Sequence, residues 1–169
     1  DWVLNLQVVL PDGRVIWTGA NTLKNSTGYD LTRLIVGSEG TLGIITQAGV
    51  RLVPMPKETR LMLAPFASAT RACEAVSSVF RAGVTPSAME FIERDAVVWT
   101  MKHTEGLPAQ LSAEPGAYLL IEVDGDHSAA LFQDCETILG VLEAHDAGEV
   151  LFAESAAEKD ALWKMRRSV

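Results

Sequence analysis

The stretch VGSEGTLGIIT, residues 36–46, places three glycines three residues apart, directly before an apolar run with β-branched residues. Glycine adopts backbone angles that are closed to other residues, and it has no side chain to hold a ligand away. Gly37, Gly40 and Gly43 could therefore present bare backbone amides to a phosphate or pyrophosphate. A tight turn that leads into a strand explains the same cluster without a ligand. The glycines alone leave both interpretations open, and the surrounding sequence has to decide between them.

The composition is that of a globular protein. Of the 169 residues, 48% are apolar and 21% are charged, which suffices for one large or two small domains with a buried core. A formal net charge of -8 argues against a nucleic-acid partner. No apolar run approaches the roughly 18 residues of a transmembrane helix, and the first residues lack the basic start of a signal peptide. We therefore expect a cytoplasmic protein without a transmembrane segment.

The first third of the chain carries strand and turn signals. The apolar stretch 2–10, the Asp-Gly turn of PDGR at 11–14 and the following VIWTG together predict a β-hairpin. Asp30 is placed to cap a short helix over LTRLI. Residues 43–53 are predicted to form a buried strand, and the prolines that begin at Pro54 mark a boundary.

Beyond the boundary, strand and helix patterns alternate regularly. The predicted elements are strand 60–66, helix 68–82, strand 87–92, helix 93–103, strand 117–124, helix 127–145, strand 149–153 and a helix from 155. Without the helix at 93–103, the order is β-α-β-β-α-β. This order predicts an α+β fold with a ferredoxin-like antiparallel sheet and helices on one face.

The cysteines and histidines show no disulfide or metal pattern. Cys73 and Cys135 lie in stretches that read as amphipathic helices, so we expect both to be small buried hydrophobic residues. His103, His127 and His145 have no second ligand at a usable spacing. We therefore expect no metal site within this chain.

A longer motif now decides between the two interpretations of the glycine loop. Residues 23–56, LKNSTGYDLTRLIVGSEGTLGIITQAGVRLVPMP, closely resemble the FAD-binding half of the flavin-linked oxidases of the vanillyl-alcohol-oxidase type. Within that superfamily they are most similar to the group of glycolate oxidase flavoprotein subunits, D-lactate dehydrogenases and D-2-hydroxyglutarate dehydrogenases. Residues 57–169 resemble the start of the family's substrate-binding cap, and ALWKMRRSV matches its W-x-x-R signature. The resemblance implies that residues 1–56 are the C-terminal strands of a PCMH-type FAD-binding domain and that residues 57–169 begin the cap.

The resemblance also implies which residues contact FAD. The residues expected to line the cofactor are Gly37, Ser38, Glu39, Gly40, Thr41, Leu42, Gly43 and Ile45. A carboxylate facing a pyrophosphate would repel it, so we expect the Glu39 side chain to turn toward a ribose hydroxyl or backbone amides, or else to cap a nearby turn. Asn25 and Thr27 could hydrogen-bond the flavin or could only support the loop.

Arg166 is the candidate for substrate binding, since the resemblance aligns it with the arginine of W-x-x-R, which is implied to hold the substrate carboxylate. A guanidinium offers paired donors in a plane that matches a carboxylate. The alternative is an arginine on a solvated helix face, as expected for Arg167 beside it. Glu90 and Glu93 could reach a cleft, although solvation at a sheet edge explains them as well.

The expected function is FAD-dependent oxidation of a small D-2-hydroxy acid, with a separate electron acceptor, by a homodimer or by a subunit of an oxidase complex. No catalytic residue is assigned within the chain, because the expected base and the family's metal-binding motif would lie downstream. Two alternatives stay open. The chain could be a scaffold or interaction piece that holds no flavin, or part of a flavoenzyme of the alkylglycerone-phosphate synthase type. A lipid-phosphate substrate would require basic pocket residues that this acidic chain does not display.

Overall fold

The computed structural model describes residues 2–22, 24, 26, 28–107 and 111–168. The chain divides into two compact units, Asp1–Met55 and Pro56–Val169. In the first unit, the elements are β1 (Val3–Val9), β2 (Val15–Trp17), α1 (Leu31–Ile35) and β3 (Ile44–Val50). The three strands form one antiparallel sheet in the order β2-β1-β3.

The predicted hairpin and the predicted short helix are both confirmed. Strands β1 and β2 pair through the PDGR turn, where Gly13 takes a φ of +83° that favours glycine. The Asp12 carboxylate accepts hydrogen bonds from the Arg14 backbone amide at 3.1 Å and from its Nε at 2.7 Å. At α1, the Asp30 carboxylate accepts a hydrogen bond from the Arg33 amide at 3.0 Å, which is the expected N-terminal cap.

The prediction of a buried strand over 43–53 is wrong in both length and environment. Strand β3 ends at Val50, and every residue in it except Gly49 is exposed. The reason is that β3 is an edge strand, paired with β1 alone among the described residues. The small core of this unit is built from Leu6, Val8 and Ile35, which lie on β1 and α1. Apolar residues of β3 therefore face solvent in this chain.

The second unit has the predicted ferredoxin-like topology. Its elements are β4 (Glu58–Phe66), α2 (Ala69–Arg81), β5 (Ala88–Glu93), α3 (Arg94–His103), β6 (Ala117–Gly125), α4 (Ser128–Ala144), β7 (Leu151–Ala153) and α5 (Ala156–Arg167). The strand order is β5-β6-β4-β7, and all neighbouring strands are antiparallel. This order is the ferredoxin-like arrangement of a β-α-β-β-α-β chain, with α3 inserted between the second and third strands.

Helices cover both faces of this sheet, which corrects the expectation of helices on one face. On one face, Met62 and Ala64 pack with residues of α2 and α4 such as Val79 and Ile138. On the other face, Leu61, Leu63 and Leu120 pack with α3 and α5. The cause is visible in the central strands, because β4 and β6 carry continuous apolar runs and not an alternating pattern. Such strands need cover on both sides.

The two cysteines differ in environment, so the expectation was right for only one of them. Cys135 lies on the buried face of α4, and burial raises the pKa of its thiol. Cys73 is exposed on α2. In the part of the chain that the structure describes, no helix is long and apolar enough to cross a membrane.

Candidate functional site

The glycine loop lies between α1 and β3 and is largely exposed. Gly37 and Gly40 adopt φ values of +84° and +81°, and Glu39 between them has a φ of +50°. These left-handed angles favour glycine, which explains the first two glycines of the motif. Two tight turns shape the loop, since the Ser38 amide donates to the Ile35 carbonyl and the Thr41 amide donates to the Ser38 carbonyl, both at 3.0 Å.

This geometry leaves several backbone donors unused. Among the described residues, the amides of Gly37, Glu39 and Gly40 donate no hydrogen bond. A side chain added at Gly37 or Gly40 would meet nothing within 4 Å, so a ligand can approach the backbone there. A run of open amides with left-handed angles is the type of backbone that binds anionic or polar ligand edges.

Gly43 has a different structural reason from the other two glycines. A Cβ atom at this position would lie 2.6 Å from Val8 Cγ1 and 2.8 Å from the Val9 carbonyl oxygen on β1. Its lack of a side chain therefore allows close packing of the loop end against the neighbouring strand. Ile45 follows on β3, opposite Val8, and is 48% exposed.

The other predicted cofactor residues are distributed as follows. Ser38 is half-buried, and Leu42 and Thr41 are exposed on the loop. Asn25 and Thr27 lie outside the described residues.

A concavity of about 680 Å³ opens elsewhere on the first unit. It is lined by residues such as Thr18 and Thr32, and Val36 is the residue of the glycine motif that contributes to it. The cavity and the predicted cofactor loop therefore do not coincide.

Arg166 lies near the end of α5, and the start of this helix is fixed by a capping box. The Ser155 hydroxyl accepts a hydrogen bond from the Glu158 amide, and the Glu158 carboxylate accepts from the Ser155 amide at 3.0 Å. This carboxylate also accepts from the Glu154 amide at 2.8 Å. Hydrogen bonds from the two amides, of Ser155 first and then of Glu154, hold the pKa of Glu158 below its ordinary value.

Helix α5 contacts the sheet through polar side chains at positions 159, 163 and 166. Lys159 donates from Nζ to the Thr59 carbonyl on β4 at 2.7 Å. Trp163 donates from Nε1 to the Glu122 carboxylate on β6 at 3.0 Å. The helix rises by about 6 Å from Lys159 to Trp163 and by about 4.5 Å from Trp163 to Arg166. Both distances are close to the spacing of about 4.8 Å between neighbouring strands. Each turn of α5 therefore reaches the next strand of the sheet.

The third of these contacts is made by Arg166 itself. Its Nε donates to the Glu90 carboxylate on β5 at 2.7 Å. The two side chains are half-exposed, at 42% for Arg166 and 34% for Glu90. No hydrogen bond of the described residues uses the terminal nitrogens Nη1 and Nη2. One edge of the guanidinium is therefore held by the protein, and the terminal edge is available to a ligand.

Two of these contact residues were missed by the sequence analysis. Glu122 is a single charged residue inside the apolar run of β6, and Lys159 precedes Trp163 by one helical turn. A charge that interrupts a buried strand, together with polar residues spaced as one helix face, is the signal that could have identified them. Among the described residues, no three His, Cys, Asp or Glu side chains are grouped as a metal ion would require.

Comparison with known proteins gives consistent matches over the chain. Residues 55–169 match the family described as FAD linked oxidases, C-terminal domain. The chain is 39% identical over 169 residues to the glycolate oxidase subunit GlcD of Bacillus subtilis, covering 99% of this chain and 35% of the relative. It is 36% identical over 169 residues to a D-lactate dehydrogenase of Anaerostipes hadrus, covering 98% of this chain and 36% of the relative.

Among solved structures, an alkyldihydroxyacetonephosphate synthase matches with a TM-score of 0.60 at 20% identity, covering 99% of this chain and 32% of that chain. At this identity the match is a likeness of fold alone. The chain spans about a third of the length of the curated relatives that it matches.

Proposed function

The chain belongs to the FAD-linked oxidase family, and from this premise we propose that it is part of an enzyme that oxidises a small D-2-hydroxy acid to the 2-oxo acid. The observation that carries the proposal is the state of Arg166. Its guanidinium is fixed on one edge by Glu90 and open on the terminal edge, which is the geometry that binds a carboxylate through two parallel hydrogen bonds. The names of the relatives support the substrate class, since glycolate and D-lactate are both 2-hydroxy acids.

We propose that the first unit contributes the backbone that holds FAD. The open amides of Gly37, Glu39 and Gly40 and the unobstructed approach to both glycines fit a flavin nucleotide. The proposed contact set also includes Ser38, Thr41, Leu42, Gly43, Ile45, Asn25 and Thr27. When bound, FAD supplies a hydride acceptor for the alcohol carbon. In this assignment, residues 1–56 end the FAD-binding domain and residues 57–169 begin the cap.

In the proposed reaction, the contribution of Arg166 is chiefly positional. Binding the carboxylate fixes the adjacent alcohol carbon relative to the protein and removes the rotational freedom of a small substrate. We assign no general base to the described residues. We further propose that electrons leave to a separate acceptor.

A carboxylate substrate fits this chain better than a lipid phosphate. The net charge is -8, and the sheet face beneath α5 carries Glu90 and Glu122 beside the terminal edge of the Arg166 guanidinium. A phosphate with two negative charges calls for several basic groups. The synthase chemistry of the structural neighbour is therefore the less favoured alternative.

The first test measures the flavin in the full-length protein that contains this chain. We expect a yellow protein whose flavin absorbance is bleached by glycolate or D-lactate, and turnover of one of them with an artificial dye acceptor. A colourless protein would favour the scaffold alternative. If the protein contains flavin but none of the 2-hydroxy acids supports reduction of the dye, the proposed substrate class is excluded.

The second test replaces Arg166 by alanine in the same full-length enzyme. Loss of a charge-assisted pair of hydrogen bonds should raise KM by about a hundredfold. The matched control is Arg167→Ala, because Arg167 is the next residue of α5 and, among the described residues, forms its ion pair with the exposed Asp160. The control should leave KM unchanged. An Arg166→Ala enzyme with wild-type KM and kcat would overturn the assignment of the anchor.

A further inference from the structure

The geometry points to a second residue of the substrate site. We infer that Glu90 is a positioning residue, which holds the Nε edge of Arg166 and so directs its terminal Nη edge toward the substrate carboxylate. The inference rests on the proposed function, because it assumes that Arg166 binds the substrate.

The first support is the division of the guanidinium between two partners. An arginine side chain presents five N–H donors, one on Nε and two on each terminal nitrogen. Glu90 accepts only the Nε donor, at 2.7 Å. With Nε taken by Glu90, the terminal nitrogens Nη1 and Nη2 are the pair that can form a fork with a second carboxylate, and they make no hydrogen bond among the described residues. The ion pair therefore orients Arg166 without using the donors that the substrate needs.

The second support is the rigidity of the element that carries Glu90. Glu90 lies within β5 and pairs with Leu120 of β6, a fully buried residue of the central sheet. Arg166, in contrast, is the penultimate residue of α5, and its long side chain has many rotamers. A carboxylate on a rigid strand can select one of these rotamers. Groups on regular helices and strands hold a binding geometry more precisely than groups on loops.

The third support is that folding alone gives little reason for the pair. A half-exposed ion pair contributes little to stability, because solvent screens it and ordering two side chains costs entropy. Helix α5 is already attached to the sheet by Leu162 and Met165, which are buried. Glu90 also lies diagonally from Glu122 on the same sheet face, since Ala88 is the direct partner of Glu122. A second carboxylate near Glu122 adds repulsion to the sheet, so the stability of the fold gives no reason for a glutamate at position 90. We therefore attribute the Arg166–Glu90 pair to the orientation of the guanidinium and not to the stability of the fold.

Orientation and charge have opposite effects here, which makes the inference testable. The negative charge of Glu90 weakens the attraction of Arg166 for an anionic substrate, whereas its hydrogen bond holds the side chain in place. Glu90→Gln keeps a carbonyl acceptor and removes the charge, and Glu90→Ala removes both. If orientation dominates, the glutamine variant binds substrate normally and the alanine variant does not.

The experiment uses the full-length flavoprotein with glycolate or D-lactate, whichever is turned over, and a dye acceptor. We expect Glu90→Ala to raise KM about tenfold with a smaller change in kcat, and Glu90→Gln to stay within about threefold of wild type. Glu90→Ala should add nothing in an Arg166→Ala background, because Glu90 acts through that arginine. Flavin content and the thermal midpoint should not change in the single variants.

The matched control is Glu58→Ala. Glu58 pairs with Arg60 at 2.8 Å with exposures of 46% for Arg60 and 36% for Glu58, close to those of the Arg166–Glu90 pair, but on the opposite face of the same sheet. This control should leave KM unchanged. If Glu90→Ala does not fold, Glu90→Asp replaces it, because the shorter side chain loses the contact and should raise KM where Glu90→Gln does not.

The outcomes separate this inference from the proposed function. If Arg166→Ala raises KM and Glu90→Ala does not, the positioning role is wrong and the substrate anchor stands. A Glu90→Ala effect that persists undiminished in the Arg166→Ala background also overturns the role. If Arg166→Ala itself has no effect, the proposed function fails and the inference fails with it.

Discussion

The two units of this chain differ in how much of their apolar surface they bury. In the second unit, two clusters of buried residues fill both faces of a four-stranded sheet, and central residues such as Leu120 are fully buried. In the first unit, the buried cluster consists of Leu6, Val8 and Ile35. Its strand β3 exposes large apolar side chains, with Ile44 at 68%.

This difference separates a unit that completes its own core from one that does not. A sheet whose outer strand carries exposed apolar residues is typical of a surface that another element covers. The glycine loop lies directly before that strand, so the proposed cofactor-binding backbone belongs to the less complete unit. Arg166 and Glu90 lie on the more complete one. We therefore expect substitutions to cost stability unequally in the two units.

The largest expected effect is on the core of the second unit. Leu120→Ala removes a fully buried side chain from β6 and should lower the free energy of unfolding of this unit by about 3 kcal/mol. The matched substitution Ile44→Ala on β3 should cost less than about 0.5 kcal/mol in this chain, because the side chain is 68% exposed. Urea unfolding of the 169-residue chain, followed by hydrogen exchange in each unit, measures both.

Equal costs at the two positions would show that the comparison is wrong and that β3 is buried in solution. A full-length flavoprotein provides a sharper version of the same test. If the exposed face of β3 is covered there, Ile44→Ala should cost about 2 kcal/mol or more in that protein.

A smaller effect should distinguish the glycines of the loop. Gly43→Ala places a Cβ atom 2.6 Å from Val8 and should destabilise the first unit by about 2 kcal/mol through overpacking. Gly40→Ala meets no atoms within 4 Å but requires a left-handed angle, with a cost of about 1 kcal/mol. Amide hydrogen exchange of β1 in the two variants measures the difference. A Gly40→Ala variant that is the less stable of the two would contradict this order.

Local features of this fold could be predicted from the sequence, because their causes lie close together in the chain. The Asp-Gly turn, the Asp30 cap and the element order of the second unit depend on neighbouring residues or on periodicity. The exposure of β3 could not be predicted in this way. An apolar strand pattern indicates that a strand prefers to be covered, and it does not reveal whether a covering layer is present.

The contacts around Arg166 lie at the other extreme of sequence separation. Glu90 and Arg166 are 76 residues apart, and their contact depends on the strand order and on where α5 crosses the sheet. Periodicity contains no information on such a pair. Cys73 shows a smaller error of the same kind, because the buried face of α2 is formed by Ala72, Ala75 and Val79, and a residue next to that face points away from it.

The smallest expected effect is the loss of folding stability on acidification, to which one surface carboxylate in each unit contributes. Hydrogen bonds from the Arg14 backbone and side chain lower the pKa of Asp12, and backbone amides at Ser155 and Glu154 lower that of Glu158. A carboxylate whose pKa is lower in the folded chain stabilises it above the unfolded pKa, and this contribution is lost as the pH falls through the folded pKa. Both units should therefore lose a small amount of stability below about pH 4.

Asp12→Asn should flatten this pH dependence in the first unit only, and Glu158→Gln should flatten it in the second unit only. Hydrogen exchange of each unit between about pH 6 and about pH 3 measures the two slopes. Because both groups are on the surface, each slope should be shallow compared with the effects of Leu120→Ala and Gly43→Ala. If either variant flattens the slope of both units, acid acts on them together, and the two units do not unfold independently as the comparison requires.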